Sequence, residues 1–232
     1  MSAKSHNIQM VEIIASGFRE LLPEVVFIGG ATTTLYLSDE TTKYESSVRP
    51  TDDVDCVIEV ASRTEYAKLE KKIRSLGFKH STSPGAPLCR WTYSGVTVDI
   101  MPTNPEILGF SNKWYKSGMD ESIPFTLPSK LSIRIFTLPY FLASKLEAFK
   151  GRGKGDILLS RDFEDIITLI NARIDIRTDL FNAPEEIKTY FRSEFQSLEK
   201  SEDFLQGISA HLPPERKNAE GSRRILDILR SI

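Results

Sequence analysis

Two aspartates stand two positions apart in the segment TDDVDCVIEV. Asp53 and Asp55 alternate there with Val54 and Cys56, which predicts a strand with one apolar face and one polar face. The two carboxylates then leave the same face side by side, and they repel each other unless a cation lies between them. Because hard oxygen ligands in this arrangement suit Mg²⁺, the pair is a candidate metal site.

A third carboxylate, Asp99, belongs to a predicted hairpin. Its arms are residues 88–93 and 96–101, joined by the two-residue turn Ser94-Gly95. If the second arm pairs beside the first strand, three carboxylates converge, and such a cluster can hold two Mg²⁺ ions about 3.5–4 Å apart. The alternative is that the aspartates form the solvated face of an antiparallel sheet. Three carboxylates at these positions favour the metal site.

A glycine pair, Gly29-Gly30, follows the buried run Val25–Ile28 and precedes a predicted helix over residues 31–37. Glycine at this point lets backbone N–H groups approach a phosphate at a helix N-terminus. The alternative is a tight turn without a ligand. The spacing excludes both the P-loop and the Rossmann dinucleotide fingerprint.

The elements that position these residues follow from the hydrophobic periodicity. In the first part of the chain it predicts helices over residues 7–22 and 66–76, besides the strands already named. After a strand near residues 132–137 the pattern is helical, at 139–150, 160–172, 177–198, 201–210 and 217–231. We therefore predict an α+β fold, with an α/β core and a mixed sheet flanked by helices over residues 1–130 and a mainly helical domain over residues 131–232.

Composition excludes several classes of protein. The chain has 30 Lys and Arg against 32 Asp and Glu, a net charge of −2, and 40% apolar residues, which is typical of a globular protein. Two cysteines and three separated histidines make a zinc site improbable and weaken any scheme with a Ser or Cys nucleophile and a His base. The sequence has no run of about 18 apolar residues, so we predict a cytoplasmic protein without a membrane partner.

The order of these motifs resembles a known fold. Gly29-Gly30, then RPTDDVD over residues 49–55, then Val98-Asp99-Ile100 is similar to the minimal nucleotidyltransferase core of the polymerase-β superfamily. The stretch KLEAFKGRGKGDILLSRDFEDI over residues 145–166 resembles the AbiEii/AbiGii-type nucleotidyltransferase toxins, in which a helix-borne Lys is followed by Arg, Lys and paired aspartates. The resemblance covers roughly residues 25–170.

The resemblance implies a role for each matching residue. The metal ions, Mg²⁺ or Mn²⁺, would be bound by Asp53, Asp55 and Asp99. The NTP substrate would be bound by Gly29, Gly30, Arg49, Thr51 and Lys145. Lys145 would stabilise the charge that builds on the departing pyrophosphate, and its alternative is an ordinary exposed helix lysine.

Two further aspartates, Asp162 and Asp165, lie three positions apart on a predicted helix that begins near Ser160. The resemblance makes Asp162 a catalytic contact to nucleotide or acceptor and Asp165 a structural partner. The alternative is a helix capped by Ser160 with acidic residues in its first turn. The stretched spacing in this region makes Asp156 a competitor of Asp162, and residues 39–48 form an insertion relative to the compact motif.

Taken with the resemblance, these residues predict a Mg²⁺-dependent nucleotidyltransferase that moves an NMP from an NTP to an acceptor hydroxyl. The acceptor would be an RNA 3′ end, such as that of tRNA, or a protein, and the enzyme would be the toxin of a bacterial toxin–antitoxin pair with a cognate antitoxin as partner. Lys150, Arg152 and Lys154 are the candidate basic patch for RNA. The alternatives are an enzyme that modifies a small aminoglycoside-like compound and a non-catalytic module that binds nucleotide or antitoxin. An unused carboxylate cluster would carry an uncompensated electrostatic cost, which disfavours the last alternative.

Overall fold

The computed structural model describes residues 2–37, 48–152 and 156–232. The chain divides into two compact units, the first made of Met1–Thr34 and Pro50–Thr137 and the second of Leu35–Arg49 and Leu138–Ile232. The predicted α+β class is confirmed, because a seven-stranded mixed sheet flanked by helices is followed along the chain by several helices. Over the described residues, none of the helices has the length and apolar character needed to span a membrane.

The sheet of the first unit brings sequence-distant strands together. Its strands are β1 (Val25–Ile28), β2 (Asp53–Ile58), β3 (Lys79–His80), β4 (Arg90–Tyr93), β5 (Val96–Pro102), β6 (Ile123–Thr126) and β7 (Ser132–Ile135). They lie in the order β3-β4-β5-β2-β1-β7-β6. The pairs β2–β5 and β1–β7 are parallel, and the others are antiparallel. The predicted hairpin is therefore β4–β5, and its second arm does pair beside β2.

The helices of the first unit begin with a side-chain cap in three of four cases. They are α1 (Ala3–Phe18), α2 (Arg63–Ser75), α3 (Pro105–Leu108) and α4 (Tyr115–Asp120). The Ser62 hydroxyl accepts a hydrogen bond from the Glu65 amide at the start of α2, which satisfies a donor that the helix itself cannot pair. The first helix begins at Ala3 and ends at Phe18, four residues earlier at each end than the predicted range 7–22. It ends early because residues Arg19–Glu24, which include Pro23, form a 3₁₀ helix.

The segment after the glycine pair differs from the prediction. Gly30–Tyr36 is a 3₁₀ helix and not an α-helix. The hydroxyl of Thr32 donates to the Gly29 carbonyl at 2.9 Å, and that of Thr34 donates to the Ala31 carbonyl at 3.3 Å. These bonds to carbonyls three residues back favour the tighter helix, because threonine side chains compete with the α-helical ladder.

The core of the first unit explains why the polar face of β2 is open. All four residues of β1 are buried, and in β2 the buried Val54 and Cys56 alternate with the half-buried Asp53 and Asp55. On the apolar side, aromatic rings from α1 and β1 meet edge to face, with centroids 6.1 Å apart. Burial of this face thus fixes the direction of the aspartates.

The second unit is a helical assembly. Its helices are α5 (Leu138–Gly151), α6 (Arg161–Ala172), α7 (Ile176–Phe181), α8 (Glu185–Leu198), α9 (Phe204–His211) and α10 (Ala219–Arg230). α5 packs against α6 and α8, and α6 packs against α9 and α10. The amphipathic segment predicted at 177–198 is divided into α7 and α8, since Pro184 cannot continue a helix from the preceding turn.

Candidate functional site

The register of the sheet brings the predicted carboxylates to one place. β2 and β5 are parallel with Asp55 directly opposite Asp99, and Asp53 lies two positions earlier on the same face of β2. We call Asp53, Asp55 and Asp99 the carboxylate cluster. The two strands that carry these carboxylates, β2 and β5, run parallel to each other.

Sequence reasoning missed a fourth member of this site, Arg90. Arg90 lies on β4 directly opposite Asp99. Its Nε donates to Oδ1 of Asp99 at 2.8 Å and its Nη2 donates to Oδ2 at 2.7 Å, a two-pronged pairing that suits a planar guanidinium. The same Nη2 also donates to Oδ2 of Asp53 at 3.0 Å. A cation therefore does lie between two of the carboxylates, and it is a side chain of this protein.

Burial and the charge of Asp99 shift the pKa values of groups next to this pairing. Hydrogen bonding to Asp99, against the opposing effect of burial, raises the pKa of Arg90, so that its guanidinium stays charged. Burial, aided by the negative charge of Asp99, raises the pKa of Cys89 to about 12. Burial likewise raises the pKa of Cys56. Both thiols therefore stay protonated at neutral pH, which makes them poor nucleophiles.

A divalent cation such as Mg²⁺ needs oxygen ligands that converge on one point. Over the described ranges 2–37, 48–152 and 156–232, no group of three or more His, Cys, Asp or Glu side chains is arranged to hold a metal ion. The donor chemistry nevertheless fits Mg²⁺ or Mn²⁺, because carboxylate oxygens from two adjacent strands share one face. The Arg90 guanidinium stands in as the cation that contacts Asp53 and Asp99.

The glycine pair lies against the same cluster. Gly29 has φ +78°, and a Cβ added to it would come within 1.9 Å of Oδ2 of Asp55. The turn after β1 thus requires glycine both for its left-handed backbone and for its contact with a carboxylate. Next to it, the Thr33 hydroxyl is buried and, in the part of the chain that the structure describes, has no hydrogen-bond partner.

Gly29→Ala should therefore destabilise the protein more than an ordinary left-handed glycine substitution. Gly95→Ala is the matched control, because Gly95 has φ +83° and nothing lies within 4 Å of its added Cβ. The control should lose about 1–2 kcal/mol of unfolding free energy, and Gly29→Ala about 1–3 kcal/mol more, since it also overlaps Asp55. Urea unfolding of the two variants measures the difference, and equal losses would contradict this close packing.

Thr51 has a positioning role that the sequence did not indicate. Its amide donates to Oδ1 of Asn7 at 3.1 Å, and its hydroxyl donates to the Asp53 carbonyl at 3.2 Å. Nε2 of His6 lies 3.3 Å from the Thr51 carbonyl. Thr51 is buried, so these bonds tie the start of β2 to α1. Its contact with NTP stays a prediction.

A second group of charges lies inside the second unit. Nζ of Lys145, whose side chain is 4% exposed, is 3.1 Å from Oδ1 of Asp162 and 2.6 Å from Oδ2 of Asp165. Arg152 donates to both oxygens of Asp162, at 2.9 and 2.8 Å, and Arg49 donates to Asp165 at 3.0 Å. We call these five residues the lysine cluster. The alternative that Lys145 is an ordinary exposed lysine is wrong, and Asp165 pairs as expected of a structural partner.

Asp156 and Asp162, the two candidates for the catalytic aspartate of this region, lie in different environments. Asp156 is exposed, and its Oδ1 accepts from the amides of Leu158 and Leu159, both at 3.0 Å. Asp162 is 5% exposed and belongs to the lysine cluster. Burial by itself would raise the pKa of Asp162, but the hydrogen bond from Arg152 and the charge of Lys145 outweigh it and lower the pKa to about 2.

This lowered pKa predicts a loss of stability in acid. The contribution of ionised Asp162 is present above about pH 4 and disappears as the pH falls towards 2, where the carboxyl becomes protonated in the folded protein. Asp162→Asn should be less stable than wild type at pH 7, and the difference should shrink by roughly 2 kcal/mol across that window. Urea unfolding at several pH values tests this, and a difference independent of pH would contradict it.

The predicted helix cap, basic patch and insertion can each be compared with the described residues. Ser160 caps α6 by accepting from the Phe163 amide at 3.3 Å, so the capping interpretation of this helix start is confirmed. Of the predicted basic patch, Lys150 lies 2.6 Å from Glu194, and Arg152 belongs to the lysine cluster. Lys154 and residues 39–47 of the predicted insertion lie outside the described residues.

The chemistry of the chain is thus concentrated in two groups, the carboxylate cluster of the first unit and the lysine cluster of the second. Comparison of the chain with protein-family models finds no match, and comparison with curated proteins finds none either.

Proposed function

We propose that this protein is a Mg²⁺-dependent nucleotidyltransferase that transfers an NMP from an NTP to an acceptor hydroxyl. The observation that carries the proposal is the parallel register of β2 and β5, which sets Asp55 beside Asp99 with Asp53 on the same face. The contact of Gly29 with Asp55 adds a glycine turn suited to phosphate at the edge of these carboxylates. The resemblance to the polymerase-β superfamily rests on these same residues.

In the proposed reaction the acceptor oxygen forms a bond to the α-phosphorus of the NTP. The bond from that phosphorus to the bridging oxygen breaks, pyrophosphate leaves, and the acceptor's hydroxyl proton passes to water. Asp53, Asp55 and Asp99 would hold Mg²⁺ or Mn²⁺, which when bound supplies neutralisation of phosphate charge and activation of the attacking oxygen. The backbone at Gly29 and Gly30 would accommodate the triphosphate.

The lysine cluster contributes in two ways under this proposal. The resemblance assigns Lys145 and Arg49 to the triphosphate and Asp162 to nucleotide or acceptor. The contacts inside the second unit assign the same side chains to its stability, because Lys145 is buried between two carboxylates. Loss of activity in a lysine-cluster variant therefore has to be measured on protein shown to be folded.

A second candidate is a non-catalytic module that binds nucleotide or a protein partner, and Arg90 is the observation that favours it. The repulsion among unused carboxylates is compensated where Arg90 bonds Asp53 and Asp99. A carboxylate cluster can therefore persist in this fold without a metal. NTP binding without NMP transfer to any acceptor is the result that would select this candidate.

Label transfer tests the proposal. The protein is incubated with Mg²⁺ and each α-labelled NTP in turn, with total RNA, total protein or an aminoglycoside-like compound as acceptor. Label in RNA or protein supports the toxin assignment, in which a cognate antitoxin would suppress the transfer. Label in the small compound selects the small-molecule enzyme. The proposed transferase is wrong if no acceptor gains label that depends on both Mg²⁺ and Asp53.

Salt dependence distinguishes an RNA acceptor from a small cationic one. With RNA, each phosphate contact adds roughly 0.7–0.9 to the slope of log affinity against log salt. Lys150→Ala combined with Lys154→Ala should flatten that slope, whereas Lys200→Ala, at an exposed lysine after α8, should not. We leave Arg152 unchanged in this test because it bonds Asp162. Steep salt dependence that survives the double substitution would place the RNA contact elsewhere.

A further inference from the structure

The guanidinium of Arg90 uses oxygens that a metal ion would also need. Its Nη2 is shared between Oδ2 of Asp99 at 2.7 Å and Oδ2 of Asp53 at 3.0 Å, while Nε holds the second oxygen of Asp99 at 2.8 Å. Both oxygens of Asp99 are therefore engaged by one positive side chain. A divalent cation on the same oxygens would lie close to the guanidinium, and the two positive charges would repel each other.

Because these side chains are partly exposed, a metal ion could replace the Arg90 guanidinium on the carboxylates. The side chains of Arg90 and Asp53 are 32% and 35% exposed, and that of Asp99 is 12% exposed. Solvent and dissolved ions thus reach the outer part of the carboxylate cluster. Arginine has a long, flexible stem, so its guanidinium can move into water and keep its charge there.

We propose that Arg90 is an internal cation that competes with a divalent metal ion for Asp53 and Asp99, and so sets the metal concentration at which the cluster becomes occupied. This inference rests on the metal site of the proposed function and adds a positioning residue to it. Without metal, Arg90 relieves the repulsion between the carboxylates. With metal, Arg90 leaves them, and the cost of breaking its three hydrogen bonds lowers the apparent affinity for the ion.

Direct binding of Mn²⁺ tests the competition without any nucleotide. Purified full-length wild type and Arg90→Gln are titrated with Mn²⁺ alone, and the free ion is counted by electron paramagnetic resonance. Arg90→Gln should bind Mn²⁺ about tenfold more tightly or better, since hydrogen bonds to charged groups are among the stronger side-chain interactions. It should also melt at a lower temperature without metal and gain more in melting temperature when Mn²⁺ is added.

Three further variants locate the effect. Arg134→Gln is the matched control, because Arg134 is a half-buried arginine of the same unit whose guanidinium donates to the carbonyls of Pro23 and Met119. It should leave the affinity for Mn²⁺ at the wild-type value. Asp99→Asn added to Arg90→Gln should remove the tight binding. Arg90→Lys keeps the charge but loses the two-pronged pairing, so it should bind Mn²⁺ more tightly than wild type, and it tests the competition if Arg90→Gln fails to fold.

The outcomes separate this inference from the proposed function. Equal or weaker Mn²⁺ binding by Arg90→Gln and Arg90→Lys overturns the competition, even where the wild type transfers label. Tighter binding supports it, even where no NTP and acceptor pair yields a product and the proposed transferase is wrong. Absence of Mn²⁺ binding in every variant overturns both the competition and the metal site.

Discussion

Asp53→Asn is expected to lower the rate of NMP transfer about 100-fold to 1000-fold while the protein stays folded. The substitution removes one carboxylate charge from the proposed metal site and keeps nearly the same shape. Arg90 retains its two hydrogen bonds to Asp99, at 2.8 and 2.7 Å, so the unfolding free energy should change by no more than about 1 kcal/mol. Initial rates with α-labelled NTP and unfolding curves on the same samples give both quantities.

A matched acidic substitution shows whether the effect belongs to the cluster. Asp120 is a half-exposed aspartate of the same unit that pairs with Lys116 at 2.6 Å. Asp120→Asn should leave the transfer rate at the wild-type value. If Asp53→Asn transfers label as fast as this control, the carboxylate cluster is not the catalytic site.

Lys145→Met is expected to have the largest effect on stability. It removes the positive charge between Asp162 and Asp165, whose side chains are 5% and 3% exposed, and keeps most of the aliphatic stem. Two buried carboxylates then depend on arginine partners alone, and we expect a loss of about 3–5 kcal/mol in unfolding free energy. Urea unfolding followed by circular dichroism measures it.

Lys150→Met is the control for this prediction, because it lies on the same helix with a side chain 41% exposed and pairs with Glu194 at 2.6 Å. It should lose no more than about 1 kcal/mol. The Lys145→Met variant should also bind every NTP more weakly than wild type and transfer less label to every acceptor, measured under conditions where that variant is still folded. Similar losses of stability in the two variants would show that the buried lysine is not needed to hold the lysine cluster together.

The sequence predicted the polar face of β2 and the β4–β5 hairpin because the signals for both are local, whereas the pairing of β2 with β5 joins distant segments and entered the prediction only as a condition. Alternation of Asp and apolar residues defines the polar face of β2, and the two-residue turn Ser94-Gly95 fixes the register of β4 on β5. That same register pairs residue 90 with residue 99, so Arg90 could have been found by counting back from the turn. Adjacent carboxylates in the sequence indicate a neighbouring cation, but they do not indicate whether a metal ion or a side chain supplies it.

Other parts of the site depend on contacts between distant segments, which local patterns do not reveal. The bond from the Thr51 amide to Asn7 joins residues 44 positions apart, and no motif predicts it. The burial of Lys145 results from the packing of α5 on α6, whereas its own sequence neighbourhood is compatible with an exposed lysine. Hydrophobic periodicity does not predict the 3₁₀ helix at Gly30–Tyr36, because hydrogen bonds from threonine hydroxyls to backbone carbonyls determine its form.

The position of the label in the NTP tests the central claim most directly. Wild-type protein is incubated with Mg²⁺ and the same NTP carrying phosphorus label either at the α or at the γ position, with the acceptor that gains label, and Asp53→Asn runs beside it. A nucleotidyltransferase labels the acceptor from the α position alone and releases γ-label as pyrophosphate. We expect that result in the wild type and its loss in Asp53→Asn. Acceptor labelled from the γ position, or no transfer from either position with any NTP, would contradict the proposed function.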